Sequence, residues 1–406
     1  MSRWILGLAL ASTALGCRRF DVCGTDAEPC EAETDGASLG GAGAGGDGGQ
    51  SAATDCSATH DNCDRSTLNG CETDLLSNRR HCGACDNECT GLCSGGACVG
   101  FDIRVPSTYD AMVNVLVTES EAFFVASSTC CLEPAGLGRY DLESGDVTWL
   151  VRDAWSEVTG LAASATRVYV IGDYSLYSME RTGGELRDEG ITCDAISAAG
   201  TTVAAIVSGA AYVRTDDGGE FEPIPGDGYV DAIAATRRAV FLARDTSPDP
   251  GFSLEEHDLV YGAHEILAAH SGYARALHVI DDFTSAYIVT EAPSSEGMYE
   301  LYDLEALAAG EPLVRFPWDS QWALISNNAS IVGRSWIGTY SEGSRHGLRL
   351  MTFGNQSLSV DWPTAGVVGG LTASETDLWF VDPLQDALVS VDVDTLILAA
   401  LTARSE

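Results

Sequence analysis

The feature that most constrains the fold of this chain is an internal repeat. From about residue 112 onward, an apolar run rich in small residues is followed, seven times, by a second and bulkier apolar run. One Leu or Ile marks the centre of each first run: Leu116, Leu161, Ile196, Ile233, Leu277, Leu324 and Leu371. The marks lie 35 to 47 residues apart, which is close to the length of one four-stranded propeller blade. We therefore predict an all-β fold, a seven-bladed β-propeller over residues 101–406, with six or eight blades as alternatives.

The second repeat shows the expected strands of one blade most clearly. Residues 160–164 are small, as suits an inner strand near a crowded axis, and 168–171 are β-branched or aromatic. Residues 176–179 form a third strand, and the Gly pair 183–184 marks a turn before a weak outer strand. The sixth repeat, around 324–337, is faint. No run has the 3.6-residue periodicity of an amphipathic helix, so the pattern favours an all-β ring.

Two segments are candidates for completing the last blade. Residues 101–105 precede the first repeat and have strand character, so they could add an outer strand to the seventh sheet. The alternative is that residues 396–401 complete this blade without help from the other end of the ring.

The charge of the chain argues against some partners. It contains 60 acidic and 22 basic residues, and none of the basic residues is Lys. Such a negative surface repels phosphate backbones and anionic lipid, so we expect no nucleic acid as a partner.

The first 54 residues predict export and anchoring. Arg3 precedes an apolar run, 4–15, of signal-peptide length, too short to span a bilayer. The sequence Ala14-Leu15-Gly16-Cys17 resembles a bacterial lipobox, which implies a signal peptide over 1–16 and a lipid on Cys17. The alternative is an ordinary secretory signal with Cys17 in a disulfide. Residues 17–54 are acidic and Gly-rich, which predicts a flexible tether.

Residues 55–100 are dense in cysteine, and Cys replaces the aliphatic residues of a normal core. The cysteines of this module are Cys56, Cys63, Cys71, Cys82, Cys85, Cys89, Cys93 and Cys98. An exported chain meets an oxidising environment, so we predict four disulfides forming a stalk, with unknown connectivity. Zinc binding or redox activity at the Cys82–Cys85 pair is the alternative.

The amino-acid sequence of this module is distinctive. It contains Asn69-Gly70-Cys71-Glu72 and, further on, His81-Cys82-Gly83-Ala84-Cys85. These segments resemble the cysteine-rich modules of myxobacterial surface lipoproteins. The resemblance covers about residues 56–99 and implies an exported, surface-associated protein of the bacterial envelope, at the outer membrane or cell surface. It implies no activity.

Five further cysteines lie outside the module. Cys23 and Cys30 are close enough in sequence to close a small loop within the tether. Cys130 and Cys131 are adjacent, and Cys193 begins the third repeat. Either Cys130 and Cys131 pair with each other and leave Cys193 free, or one of them pairs with Cys193.

The connection between the second and third strands is predicted to be long in four blades, over 127–138, 245–257, 291–297 and 339–346. Strand alternation places these loops on one face of the ring, and insertions confined to one face are typical of a binding face. The loops hold the ligand-face candidates Glu133, Asp245, Asp249, Glu255, Glu256, Glu291, Glu296 and Glu342. These carboxylates favour a protein, a glycan or a cationic ligand as partner, whereas the alternative is that they are only solvated loop residues.

The ring carries no recognisable catalytic motif, and we predict no cofactor and no metal site. His264, His270 and His278 come closest to a cluster, but strand spacing gives no reason for them to converge. We therefore favour a non-enzymatic binding or scaffolding lipoprotein that touches the membrane only through its lipid. The alternative is an exported hydrolase or lyase that uses carboxylates of the loop face. Such an enzyme should gather a His, Arg or Tyr with two carboxylates at the mouth of the channel.

Overall fold

The computed structural model describes residues 56–403, with internal gaps. The gaps longer than three residues are 64–70, 107–110, 128–133, 247–250, 280–285, 292–297, 318–328, 353–358, 365–368 and 383–386. The predicted signal peptide and tether, with Cys17, Cys23 and Cys30, lie outside the described residues.

The described residues form seven four-stranded antiparallel sheets, which we number as blades one to seven. The first strands are Ala111–Val117, Val158–Ala163, Ala195–Ala199, Val230–Ala235, Tyr273–Val279, Ala329–Val332 and Gly369–Ala373. The second strands are Glu121–Ser127, Arg167–Gly172, Thr202–Val207, Ala239–Asp245, Ala286–Glu291, Ser335–Glu342 and Asp377–Asp382.

The third strands are Ala135–Asp141, Ser175–Glu180, Ala210–Thr215, Phe252–Asp258, Met298–Asp303, Arg345–Thr352 and Ala387–Asp392. The fourth strands are Val147–Trp155, Arg187–Thr192, Glu222–Pro223, His264–His270, Val314–Pro317, Ser359–Thr364 and, in blade seven, Asp102–Pro106. Two helices, Leu304–Ala309 and Val393–Ala403, follow the third strands of blades five and seven. In the described part of the chain, no helix is long and apolar enough to cross a membrane.

The blades are arranged in a ring around their first strands. The first strand of blade one contacts the first strands of blades two and seven, and the same contact joins the first strands of blades two through five and those of blades six and seven. This arrangement and the seven sheets confirm the predicted propeller.

The core lies between blades because the second strands of blades one to four and seven bury both of their faces. In blade one, Phe124 packs with Trp379 of blade seven, whereas Phe123 and Val125 pack with Val170 of blade two. Successive side chains of a strand point to opposite faces, so alternate residues serve the two neighbouring interfaces. The burial of each side chain of this size stabilises the folded state by roughly 1.5–3 kcal/mol. This explains why the second runs of these five repeats are continuously apolar at their centres.

Six of the seven marked residues lie on first strands, as the repeat predicts. The exception is Leu324, which lies outside the described residues, while the first strand of blade six is Ala329–Val332. The repeat extends to detail, because the pairing of first and second strands has a bulge in blades one, two, four, five and seven.

The ring is closed by the predicted segment that precedes the first repeat. Asp102–Pro106 pairs with the third strand of blade seven, with Val389 opposite Ile103. The alternative closure is wrong, since residues 396–401 belong to the helix Val393–Ala403. A propeller sealed in this way joins the two ends of its repeat region within one sheet.

The cysteine module contains four disulfides, as predicted from its composition. They join Cys56 to Cys71, Cys63 to Cys85, Cys82 to Cys93 and Cys89 to Cys98. Two short hairpins accompany them, His60–Asp61 with Thr73–Asp74 and Leu92–Ser94 with Ala97–Val99, together with a 3₁₀ turn at Arg79–His81.

The module is not an extended stalk, because it packs on blades six and seven. Leu92 and Val99 share one buried cluster with Leu350 and Phe380 of the ring. Arg79 donates two hydrogen bonds to the Asp382 carboxylate, at 2.9 and 3.1 Å. Both side chains are buried, with 5% and 0% of their surface exposed. The module therefore holds the seam at which the ring closes.

Candidate functional site

Strand alternation gives the ring two distinct faces. Connections from second to third strands, and from each fourth strand into the next blade, lie on one face, which we call the loop face. Connections from first to second and from third to fourth strands lie on the opposite face. The sequence predicts that all the ligand-face candidates lie in connections on this face.

The predicted difference in connection length holds for three of the four blades. Residues 128–134, 246–251 and 292–297 separate the second and third strands of blades one, four and five. In blade six the two strands continue to Glu342 and Arg345, leaving only residues 343–344 between them. The expectation of a long loop over 339–346 is wrong, because these residues extend the strand pairing.

Three predicted candidates lie at strand ends on the loop face. Asp245, Glu291 and Glu342 are the last residues of the second strands in blades four, five and six. Glu133, Asp249 and Glu296 lie outside the described residues. The strand-end carboxylates therefore lie on three consecutive blades.

In blade two, Asp173 shows what a carboxylate next to the end of a second strand does locally. Asp173 directly follows the second strand and accepts hydrogen bonds from the backbone N–H groups of Ser156 and Glu157, both at 3.1 Å. It therefore fixes the segment that enters the blade. The Asp173 carboxylate thus has a structural role, and its remaining surface is exposed to water.

Glu255 and Glu256 are not loop residues, which corrects the prediction for both. They lie in the third strand of blade four, opposite Leu242 and Phe241 of the second strand. The sequence predicts a loop over 245–257 because the stretch is polar. The backbone of 252–258 instead pairs with the second strand of the blade. Glu255 is buried, and its carboxylate accepts hydrogen bonds from Arg244 at 2.9 Å and Ser253 at 2.7 Å.

The surroundings of Glu255 keep it ionised. Burial alone would raise the pKa of its carboxyl, but hydrogen bonds from Ser253 and Arg244, with the Arg244 charge, bring that pKa below its ordinary value. For Glu256, burial and the nearby Asp258 and Glu265 charges raise the pKa.

Arg244 also organises the loop face. Besides Glu255, its guanidinium donates to the carbonyl oxygens of Pro225, Gly226 and Gly228, at 3.3 to 3.4 Å. These carbonyls belong to the connection that enters blade four. A buried ion pair thus pins an exposed loop to the sheet beneath it.

Two of the three histidines, His264 and His270, hydrogen-bond to different partners. His264 Nε2 lies 3.1 Å from Glu255 Oε2, and His270 Nε2 lies 2.9 Å from the Tyr302 hydroxyl, which donates to Glu300. Burial lowers the pKa of His278 to about 4. Both hydrogen-bonded histidines are thus linked to a carboxylate, His264 directly to Glu255 and His270 to Glu300 through Tyr302. Among the described residues, no group of His, Cys, Asp and Glu could hold a metal ion.

Sequence reasoning missed three tyrosines on the loop face. Tyr174 lies in the turn after the second strand of blade two, and Tyr229 and Tyr273 stand where the chain enters blades four and five. Their side chains are 56%, 54% and 50% exposed. A signal was present, because Gly228-Tyr229 and Gly272-Tyr273 repeat one dipeptide at the same point of two consecutive blades.

The opposite face carries a polar cavity of about 530 Å³ between blades one, two and three. Its wall includes Arg181, whose guanidinium donates to Glu121 at 2.7 Å and to Thr118 at 2.8 Å. It also includes Asp216, which accepts hydrogen bonds from Thr166 and Tyr169. Arg181 and Glu121 are thus paired with each other, the Asp216 carboxylate is bound by two hydroxyl groups, and these contacts stabilise the junction of the three blades.

Cys193 is a free thiol in the described structure. It is buried beside Ile206 and Val203, and burial raises its pKa to about 12. Cys130 and Cys131 lie outside the described residues. The thiol of Cys193 is therefore a small core side chain rather than a nucleophile at neutral pH.

Fold and site together define a seven-bladed β-propeller with a packed disulfide module. No protein-family model matches the sequence, and no curated protein matches it. Similar solved structures include hydrazine synthase of Kuenenia stuttgartiensis, with 12% identity over 71% of this chain and 97% of that chain, at a TM-score of 0.49.

TolB from Acinetobacter baumannii is 14% identical over 62% of this chain and 66% of its own, with a TM-score of 0.45. BamB from Moraxella catarrhalis is 13% identical over 71% and 97%, with a TM-score of 0.42. Because all these scores are below 0.5, the assignment of the fold rests on the strand topology described above.

Proposed function

We propose that this chain is an exported, non-enzymatic lipoprotein of the bacterial cell envelope that binds or scaffolds a partner through its loop face. The observation that carries the proposal is the set of half-exposed tyrosines among carboxylates on this face. Tyrosine combines large apolar area with a polar end and little conformational freedom, and it is enriched in protein interfaces.

The four disulfides support export, because such bonds persist outside the reducing cytoplasm. The lipobox-like sequence before Cys17 supports a lipid anchor at that residue. The proposed order along the chain is then lipid, tether, packed module and ring. The acidic charge of the ring keeps it away from anionic headgroups, so the lipid is the only membrane contact.

Anchoring and binding are tested separately with the full chain. Expressed in a Gram-negative host with labelled palmitate, the protein should carry the label and fractionate with membranes, and Cys17→Ser should lose both properties. An unlabelled, soluble wild-type protein would overturn the anchor.

Binding is tested by cross-linking the full chain in its envelope fraction and mapping the cross-linked residues by mass spectrometry. The proposal requires cross-links at loop-face segments such as 156–158, 173–174 and 227–231. Cross-links confined to the opposite face, for example at 118–121 and 180–182, would contradict it.

A further inference from the structure

Two loop-face tyrosines, Tyr174 of blade two and Tyr229 at the entry to blade four, lie on either side of blade three and both contact it. The Tyr174 carbonyl accepts a hydrogen bond from Cys193 N–H at 3.1 Å, and Asp194 is the next residue. The Tyr229 ring lies over Gly209 of blade three, whose carbonyl accepts a hydrogen bond from Val230 N–H at 2.8 Å. Burial and the nearby Asp194 and Asp231 charges raise the pKa of Tyr229. We call this surface, with the exposed Glu157 and Asp227 beside it, the tyrosine strip.

The backbone beneath the strip is fixed. Asp173 binds the segment that holds Glu157, and the Arg244 guanidinium binds three carbonyl oxygens of the loop that holds Asp227 and Tyr229. A surface whose loops are already ordered loses little conformational entropy when it binds.

Tyr174 stands in an unfavourable backbone conformation for a bulky residue. Asp173 and Tyr174 have φ values of 49° and 65°, which makes their turn left-handed at both positions. The corresponding turn in blade three is Ser208-Gly209, with φ values of 51° and 77°, and it uses glycine where blade two has tyrosine. The fold alone would favour glycine at 174, so the exposed ring there calls for a role outside the fold.

The chemistry of the strip points to a cation. Glu157, Asp194 and Asp227 are exposed acids around the two rings, and the chain as a whole has a net charge of −38. Aromatic faces attract guanidinium groups, and this chain uses that contact internally, with Arg214 4.4 Å from the Phe221 ring centre. In the described part of the chain, no guanidinium stacks on Tyr174 or Tyr229.

We infer that the tyrosine strip binds an arginine-containing, basic segment of a partner protein, with guanidinium groups stacked on Tyr174 and Tyr229 and paired with the surrounding carboxylates. The inference rests on the proposed function and names the partner chemistry of its loop face. A glycan, which also stacks on aromatic rings, is the competing occupant.

The test measures binding of fluorescein-labelled hexa-arginine to the full chain by anisotropy at about physiological salt, where diffuse attraction to an acidic protein is largely screened. Tyr174→Gly and Tyr229→Leu should each weaken binding about 2- to 5-fold, as expected for an exposed cation–π contact. Asp194→Asn should weaken it and flatten its dependence on salt concentration.

Matched variants on the opposite face provide the controls. Tyr261→Ala removes a tyrosine that is 78% exposed, and Asp146→Asn removes an exposed charge, so neither should change the affinity. Tyr174→Gly also separates binding from folding, because glycine suits this turn and the urea midpoint should not fall.

Two results would overturn the inference. If the strip variants bind hexa-arginine as the wild type does, the peptide is held by diffuse charge alone. If a neutral oligosaccharide binds and loses affinity in the strip variants, while hexa-arginine does not bind, the occupant is a glycan. In either case the proposed function still stands on the loop-face cross-links, which are measured independently.

Discussion

The Arg79–Asp382 pair allows a sharp prediction about how the disulfide module serves the ring. Arg79→Ala would remove the guanidinium that makes two hydrogen bonds to a carboxylate with no exposed surface. Asp382 ends the second strand of blade seven and lies opposite Ala387 of the third strand, which pairs with the strand that closes the ring. The substitution therefore tests whether the module stabilises the seam or merely adjoins it.

The expected loss follows from burial. Two unit charges about 4 Å apart attract with roughly 4 kcal/mol at an effective dielectric constant of 20. Deleting one partner of a buried pair typically costs about 3–5 kcal/mol, because the other charge stays buried. Against a total stability of about 5–15 kcal/mol, this is a large fraction. The cation–π contact of Arg79 with Phe101, at 5.6 Å, adds to the loss.

Urea unfolding followed by tryptophan fluorescence measures this difference. Arg237→Ala is the matched control, because Arg237 pairs with Glu119 at 3.5 Å with 66% and 94% of the two side chains exposed. Solvent-exposed ion pairs contribute at most about 1 kcal/mol to the free energy of unfolding. The double variant Arg79→Met with Asp382→Leu should recover most of the stability, since apolar side chains can replace a buried ion pair. If Arg79→Ala is no more harmful than Arg237→Ala, the module does not clamp the ring.

Three further predictions concern the core, the buried carboxylates and the free thiol. A Cβ at residue 172 would lie 2.1 Å from the buried Trp155 ring, so Gly172→Ala should lower the free energy of unfolding by about 1–3 kcal/mol, whereas Gly219→Ala, with open space around it, should not; equal urea midpoints would contradict the packing. Burial raises the pKa values of Glu189 and Glu255, but hydrogen bonds from Arg214 and Ser178 to the first, and from Ser253 and Arg244 to the second, lower both below 4.5. Their stabilisation is therefore full above about pH 4.5 and is lost as the pH falls through the folded pKa values, so Glu189→Gln with Glu255→Gln should flatten the acid limb of a stability–pH curve, and an unchanged limb would refute this. The Cys193 thiol, with its pKa raised to about 12 by burial, should react with a thiol reagent at pH 8 only after unfolding, as seen by mass spectrometry; rapid labelling at residue 193 in the native protein would contradict its placement.

Much of the architecture could be predicted because it depends on periodic apolar patterns. A second strand such as Arg167–Gly172 is buried on both faces, so its run is continuously apolar and visible in the sequence. The closing strand and the four disulfides were also within reach, since strand character and cysteine density are local properties. The pairing of the eight cysteines was not, because it depends on contacts distant in sequence.

The candidate site was harder to predict because polar residues do not reveal where a strand ends. Residues 253–256 alternate polar and apolar only weakly, so the sequence predicts Glu255 and Glu256 to be loop residues although they pair with the second strand. The role of Arg244 depends on a carboxylate in the next strand and on carbonyls of the preceding connection. The exposed position of Tyr174 could not be predicted, because glycine or asparagine is the usual sign of a left-handed turn in a sequence.

The central claim is that the loop face of the ring is a binding surface and that the tyrosine strip is its centre. Hydrogen–deuterium exchange of the full chain, with and without hexa-arginine, tests it most directly. The account predicts slower exchange at 156–158, 173–175, 193–195 and 227–231, with no change at 118–121, 164–167 and 180–182. Protection confined to the second set, or spread evenly over both faces, would contradict it.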